Sequence, residues 1–484
     1  MTMNPSRRRF FQSTAAAGGI AVLGPKAVLA QQAAGTFTPE MFGAKGDGVA
    51  NDSRAFAMLG HAVSEAGGGT VTLRKTTYIV GGQTRAVAPT SLYYFSPVEL
   101  MVFKGCTKPV TVRGNGARLK CADGLRYGVF DLEGRRVDKP MPYLGPGVAA
   151  PYNAMIRAEK CSGGIEISDL ELDGNLPGLV IGGPYGDTGR QIPTMGIALL
   201  DNSGPELIRE VHSHHHAMDG LLIDGLDAAA PRLPKRLIQG LRSEYNGRQG
   251  ASIIGGRGYV FERCKFNHTG RSVIESAPAA GVDIEAENGK KNRDHRFMDC
   301  EFIDNVGCGL VADSGDSDGG TFTRCTFVGT TAWSIWPFKP NFRFNNCRIV
   351  GAVVNAWGDK DVERATQFSD CLFLDDPALA PGGKIYYGGK PSGPVVELSQ
   401  GLNVLFRRCT FRLTHQGQLP WSWYAIYEDC KMSQHSPGQA FPKGKYRGYN
   451  VLTGNVDLYG TWVGGVLVAN GTRLEKVQMG GKTW

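Results

Sequence analysis

Four short apolar runs each begin at a glycine and recur at similar intervals: Gly220-Leu-Leu-Ile-Asp224, Gly250-Ala-Ser-Ile-Ile254, Gly281-Val-Asp-Ile-Glu285 and Gly309-Leu-Val-Ala-Asp313. Read as strands aligned on their glycines, they send Leu221, Ala251, Val282 and Leu310 to one side, with Ile223, Ile253, Ile284 and Ala312. The opposite side collects Asp224, Asp283, Glu285, Glu287 and Asp313, with Ser252. Three acids on one strand face oppose both β propensity and mutual repulsion, so they point to a use. Parallel neighbours lie about 4.8 Å apart and next-but-one strands about 9.6 Å apart. Crowding of that kind raises one pKa of a pair and leaves a protonated acid beside an ionised base. Glycoside hydrolysis by inversion uses two carboxyls about 6.5 to 9.5 Å apart. The expected catalytic acids are therefore Asp283, Glu285 and Asp313, paired as Glu285 with Asp313 or Asp224 with Glu285. The same oxygens on Asp283, Glu285 and Asp313 would also suit Ca²⁺.

Around these strands stand groups that could bind or assist. Tyr245-Asn246-Gly247-Arg248-Gln249-Gly250 brings Arg248 towards the mouth of the acidic face. There it could hold a sugar acid bidentately, act as a lyase base or close a turn as a salt bridge. Asn246, Asp224 and Glu287 are expected to contact substrate. Trp336 and Lys339 follow one strand later, Trp336 as a platform for a sugar ring and Lys339 as a possible base. His212-Ser-His214-His215-His216 with Asp219 is a metal-like run. Consecutive strand side chains cannot all face one ion, so the expectation is a single histidine, His214 or His216, lining the cleft. Asp313-Ser-Gly-Asp316-Ser-Asp318 has the composition of a calcium loop but lacks the downstream glutamate of an EF-hand, which favours a polar turn.

The elements that must position these groups are written as a repeat. An aromatic, two residues, a cysteine, one residue and an apolar side chain recur at Phe261/Cys264/Phe266, Phe297/Cys300/Phe302, Phe322/Cys325/Phe327, Phe344/Cys347/Ile349, Phe368/Cys371/Phe373, Phe406/Cys409/Phe411 and Tyr427/Cys430/Met432. The cysteines are spaced 36, 25, 22, 24, 38 and 21 residues apart. A base step lengthened by loop insertions is the mark of a solenoid. Ile167/Leu170, Ile208/Val211 and Ile238/Leu241 continue the pattern with aliphatic residues in the cysteine slot, giving about ten rungs. Short β-branched and aromatic runs broken by Gly, Asn and Asp make the rungs strands.

Phe42-Gly-Ala-Lys-Gly-Asp47-Gly, Asn51-Asp52-Ser53-Arg-Ala-Phe56, Gly67-Gly-Gly-Thr-Val-Thr-Leu73 and Tyr78-Ile-Val80 form an ordered series. Asp52 or Ser53 can cap a helix carrying Phe56, Leu59, Ala62 and Val63, which the glycine triplet ends. This series resembles the entry segment of the pectate-lyase-type family. The resemblance implies an all-β, single-stranded right-handed parallel β-helix with a short N-terminal capping helix, spanning residues 31–484 as one domain. It also implies activity on a polysaccharide, and a trimer as a frequent assembly. Asp47 and Asp52 read as turn and cap residues. Departure from the polygalacturonase pattern, with no Asn-Thr-Asp, Gly-His-Gly or Arg-Ile-Lys, argues against pectin as substrate.

Ser6-Arg7-Arg8-Arg9-Phe10-Phe11 and the apolar stretch to Ala30 are similar to a twin-arginine export signal over residues 1–30. The protein is thus expected in the periplasm or outside the cell, with no membrane contact after cleavage. Removing Arg7, Arg8, Arg9 and Lys26 lowers the net charge from +8 to +4. A mild, dispersed excess excludes a nucleic-acid footprint. Eleven cysteines, an odd number placed mostly in one repeat slot, favour stacked buried thiols over disulfides, and export of a folded protein would imply the same. The functional expectation is a polysaccharide-cleaving hydrolase that needs no cofactor. A Ca²⁺-assisted uronate lyase is the alternative, and a non-catalytic carbohydrate-binding or tailspike-like protein the reading of another class.

Overall fold

The computed structural model describes residues 35–85, 95–131, 133–138, 148–185, 189–227, 233–398, 402–420, 423–435 and 442–479; the export segment 1–30 lies outside the described residues. The chain coils into a parallel β-helix, the fold that the repeat and the entry segment predict. Each full turn lays one strand, or a short pair, on each of three stacked parallel sheets. The first sheet runs in register from Phe37 through Val71, Val112, Ile167, Ile208, Ile238, Phe261, Phe297, Phe322, Phe344, Phe368, Phe406, Tyr427 and Tyr446 to Val463. The stack therefore extends beyond the repeat at both ends, where no cysteine marks it. Its aromatic section is one column of face-to-face rings, with centroids 4.4 Å apart for Phe261–Phe297, 4.7 Å for Phe297–Phe322 and 5.0 Å for Phe322–Phe344.

The corner after this sheet corrects one part of the sequence reading. Strict alternation would send Phe261 and Cys264, three residues apart, to opposite faces. Both are wholly buried. The residue before each cysteine of the repeat, and before Leu170 and Val211 in the same slot, adopts a left-handed conformation, with φ between 49° and 57° at Asp169, Glu210, Arg263, Asp299, Arg324, Asn346, Asp370, Arg408 and Asp429. That turn splits each rung into two strands and resets the phase, so the aromatic, the cysteine and the following apolar residue all point inwards. A side chain in this conformation costs on the order of 1 kcal/mol. Corner residues offset part of that cost by pairing along the stack, as Arg324 does with Asp299 and Arg408 with Asp370. All eleven cysteines are buried free thiols.

The third sheet carries the acids and is called the groove sheet. It contains Met101–Lys104, Ala154–Glu159, Met195–Leu200, Asp219–Asp224, the first half of Gln249–Arg257, Ala280–Ile284, Leu310–Ala312, Ile335–Pro337, Val353–Val354 and Val396–Glu397. The helix Ser53–Glu65 lies over its first strand, burying Phe56, Leu59 and Val63. Gly60 makes that approach possible, since a Cβ there would stand 2.7 Å from the Val102 nitrogen. Asp52 sits at the helix N-cap, but its carboxylate accepts the Lys45 and Gly46 amides at 2.7 and 3.0 Å instead of capping the helix. Asp47 likewise closes its own turn, accepting from Val49 and Ala50. Among the described residues no helix is long and apolar enough to cross a membrane.

Candidate functional site

The groove-sheet register follows the glycine alignment. Leu221, Ala251, Val282, Leu310 and Ile335 form one inward row, each directly paired with the next. The adjacent outward row is Leu222, Ser252, Asp283, Val311 and Trp336. Two residues further along each strand, the next outward row carries Glu285 and Asp313 on neighbouring rungs. Glu285 stays in the ladder through its amide, which donates to the Ile253 carbonyl at 3.1 Å. Alternation holds because every second residue belongs to a packed core.

Glu285, Asp313 and Lys339 form one electrostatic unit. Burial, and then the Glu285 charge, raise the pKa of Asp313 above the usual carboxylate value. Partial burial lowers the pKa of Lys339, while Asp313, Asp316 and Glu285 pull it back up. Ser314 donates to Glu285 Oε1 at 2.5 Å, fixing that carboxylate. Ser314 belongs to the Asp313–Asp318 turn. Asp283 faces the same way but is only 4% exposed and accepts from the Gln249 amide. It therefore lies beneath the groove, where direct substrate contact is restricted. Trp336 is outward and half-buried, edge-on to Trp333 with centroids 5.4 Å apart, and Trp333 meets Tyr386 at the same distance. The indole N–H groups of Trp333 and Trp336 have no acceptor among the described residues.

Other expected site residues are drawn into the scaffold. Arg248 is 2% exposed and grips Asp219 with two guanidinium nitrogens, its Nε at 2.8 Å from Oδ1. Burial works against its charge, but the Asp219 carboxylate outweighs that effect and holds the guanidinium protonated. Arg248 is thus the salt bridge of the earlier alternatives, out of a substrate's reach and unable to act as a base. Asn246 is fully buried, accepting the His216 amide and donating to Ser243, both at 3.0 Å. Asn305 repeats this role with the Thr269 amide and the Phe266 carbonyl. His216 is also fully buried, with Nδ1 2.9 Å from the Tyr152 hydroxyl; desolvation and then His214 drive its pKa well down. It lines the core and not a cleft. Asp224 is 8% exposed and paired with Lys290, which also holds Asp201 at 2.6 Å. Its strand is bulged there, pairing Asp224 with Gly255, which takes it out of line with Glu285. Glu287 bonds back through its amide to Ile254, and its charge contributes to the field at Arg248. Lys290 carried no signal of its own in the sequence, and the pairing of Asp219 with Arg248, of Gln249 with Asp283 and of Ser314 with Glu285 depends on which rung stacks on which.

No family model matches the chain, and no curated protein does. Among solved structures, the N-terminal fragment of gene product 12 from bacteriophage Phi29 is similar at 13% identity and a TM-score of 0.51, covering 94% of this chain and 76% of that one. The tailspike protein of E. coli bacteriophage HK620 matches at 10% identity and a TM-score of 0.47, with 91% and 80% covered. The A-module of a mannuronan C-5 epimerase from Azotobacter vinelandii matches at 16% identity and 0.44, with 83% and 96% covered. At these identities the shared feature is the fold, as the Phi29 match shows.

Proposed function

We propose that the protein is a polysaccharide-processing enzyme acting along the outer face of the groove sheet, with Asp313 as general acid and Glu285 as the second carboxyl of the pair. The observation that carries this reading is the placement of Glu285 and Asp313 in one outward row on neighbouring rungs, where burial and then the Glu285 charge raise the Asp313 pKa. A carboxyl of raised pKa can protonate a glycosidic oxygen, while the second carboxyl of the pair serves to stabilise or attack the anomeric carbon. With Asp224 tied to Lys290, the pair one rung apart remains. The two stand on neighbouring rungs, whose backbones lie about 4.8 Å apart. Trp336 supplies an apolar platform on the same face, and Lys339 a cation for an acidic sugar.

A second reading rests on Lys339. Desolvation lowers its pKa, which suits a base that removes the proton next to a uronate carboxyl, and Glu285 and Asp313 would be the carboxylates to hold a Ca²⁺. Incubating the purified protein with a panel of neutral and uronate-containing polysaccharides separates the two. Hydrolysis gives new reducing ends, unaffected by chelation. Elimination gives unsaturated ends that absorb in the ultraviolet and is lost with EDTA. Silence on all polymers, with tight binding of one, would favour the non-catalytic reading.

A further inference from the structure

The histidine run occupies the second sheet and the turn that leads from it to the groove sheet. Ser213 points inwards and donates to the Gly220 carbonyl, so His212 and His214 share the outer face. His215 then takes a left-handed φ of 53°, as Asn175, Tyr245, His268 and Asp304 do at equivalent turns. That conformation defeats the argument that consecutive histidines must diverge. It folds the His215 ring back beside His214, with the two Nδ1 atoms 2.7 Å apart. Asp173, one rung below, places Oδ1 3.7 Å from His214 Nδ1.

We propose that Asp173 Oδ1, His214 Nδ1 and His215 Nδ1 bind a divalent transition metal of the zinc type, clipping two successive rungs together at the exit of the second sheet. These three donors converge, lying within 4.8 Å of one another. At metal–nitrogen bonds of about 2.0 to 2.1 Å, tetrahedral ligands stand about 3.3 Å apart, between the two separations found here. A second observation points the same way. His214 Nε2 lies 3.1 Å from Glu171 Oε1, so the ring's proton is directed to the carboxylate and the Nδ1 lone pair faces the other donors. That is the carboxylate–histidine–metal relay by which proteins fix a ligating imidazole. The His215 ring is held in turn by stacking on Tyr245, with centroids 5.1 Å apart and planes 9° from parallel. Arg118 takes the other oxygen of Asp173 and reaches Glu171, and the Asn175 amide donates to Asp173 Oδ1 at 2.8 Å, leaving that oxygen a free lone pair.

The test titrates Zn²⁺ alone into the full chain, freed of metal by chelation and dialysis, using calorimetry, with Co²⁺ as a spectroscopic stand-in. One ion per chain, visible ligand-field bands from Co²⁺ and a zinc-dependent rise in thermal midpoint are expected. His215→Asn keeps a residue that tolerates the left-handed turn and removes the ligand, so binding should be lost while the fold persists. Glu171→Gln should weaken binding about 10- to 100-fold through the relay, and His212→Ala should leave it within a few-fold. Absence of saturable binding in the wild type overturns the proposal. So does loss of binding in His212→Ala with retention in His215→Asn, which would assign the ion to the Glu171–His212–His214 side of the same ring.

Discussion

At the scale of single residues, the groove turns on a few groups whose charges are set by their neighbours. Asp313 has an ordinary pKa of 3.8 that burial and Glu285 raise. Between that value and its higher native one, the folded protein holds a proton that the unfolded chain has released. Its contribution to stability therefore declines as pH rises through that window and stays unfavourable above it. Asp313→Asn removes this term, so the thermal midpoint of the variant should gain on wild type as pH rises, in scans from pH about 3 to 8. Turnover should respond in the opposite sense. Asp313→Asn and Glu285→Gln are each expected to cost about 10²- to 10⁴-fold, and wild-type activity should fall above the native Asp313 pKa. Normal turnover in both variants on the best polymer would place the chemistry elsewhere.

At the scale of elements, the sheets are held by columns and by buried ion pairs. Phe322 is stacked between Phe297 and Phe344 and wholly buried. Phe322→Ala leaves a cavity between two rings that cannot close it, and a loss of about 3 to 5 kcal/mol is expected from denaturant unfolding. Arg248 and Asp219 tie the start of two groove strands together inside the coil. Asp219→Asn strands a guanidinium in a site 2% exposed, and should destabilise by about 3 to 5 kcal/mol. Arg248→Lys should be destabilising too, because an ammonium cannot replace the two-nitrogen grip. If Asp219→Asn removed activity at unchanged stability, Arg248 would have to be returned to the chemistry.

At the scale of the whole molecule, a coil of stacked rungs keeps its thiols within one continuous interior, apart from Cys308, which is buried in a smaller cluster with Val311. Burial raises the pKa of Cys264 and Cys300, disfavouring the reactive thiolate. A thiol reagent should therefore titrate few groups in the native protein and eleven after unfolding without reductant. Extensive oxidation in the unfolded sample would contradict the stack.

The repeat itself determined the fold. An aromatic, a cysteine and an apolar residue recurring at a nearly fixed step can be buried together only if identical positions stack, and the glycine-aligned strands then had to present Asp283, Glu285 and Asp313 on one outward face. The sequence alone could not show the left-handed corner that splits Phe261 from Cys264, because Asp, Arg, Asn and Glu all occupy that position and share no side-chain signature. Nor could it distinguish outward from accessible. Asp283 faces out yet is covered, and Asp224 faces out yet is bound by Lys290, a residue 66 positions away. Arg248, Asn246 and His216 look like ligand-binding groups by type, and became interior struts because the turn at residues 245–249 folds over the rung before it. Stacking of rungs decides such matters, since burial and pairing arise between residues that are close only after the chain has completed a turn.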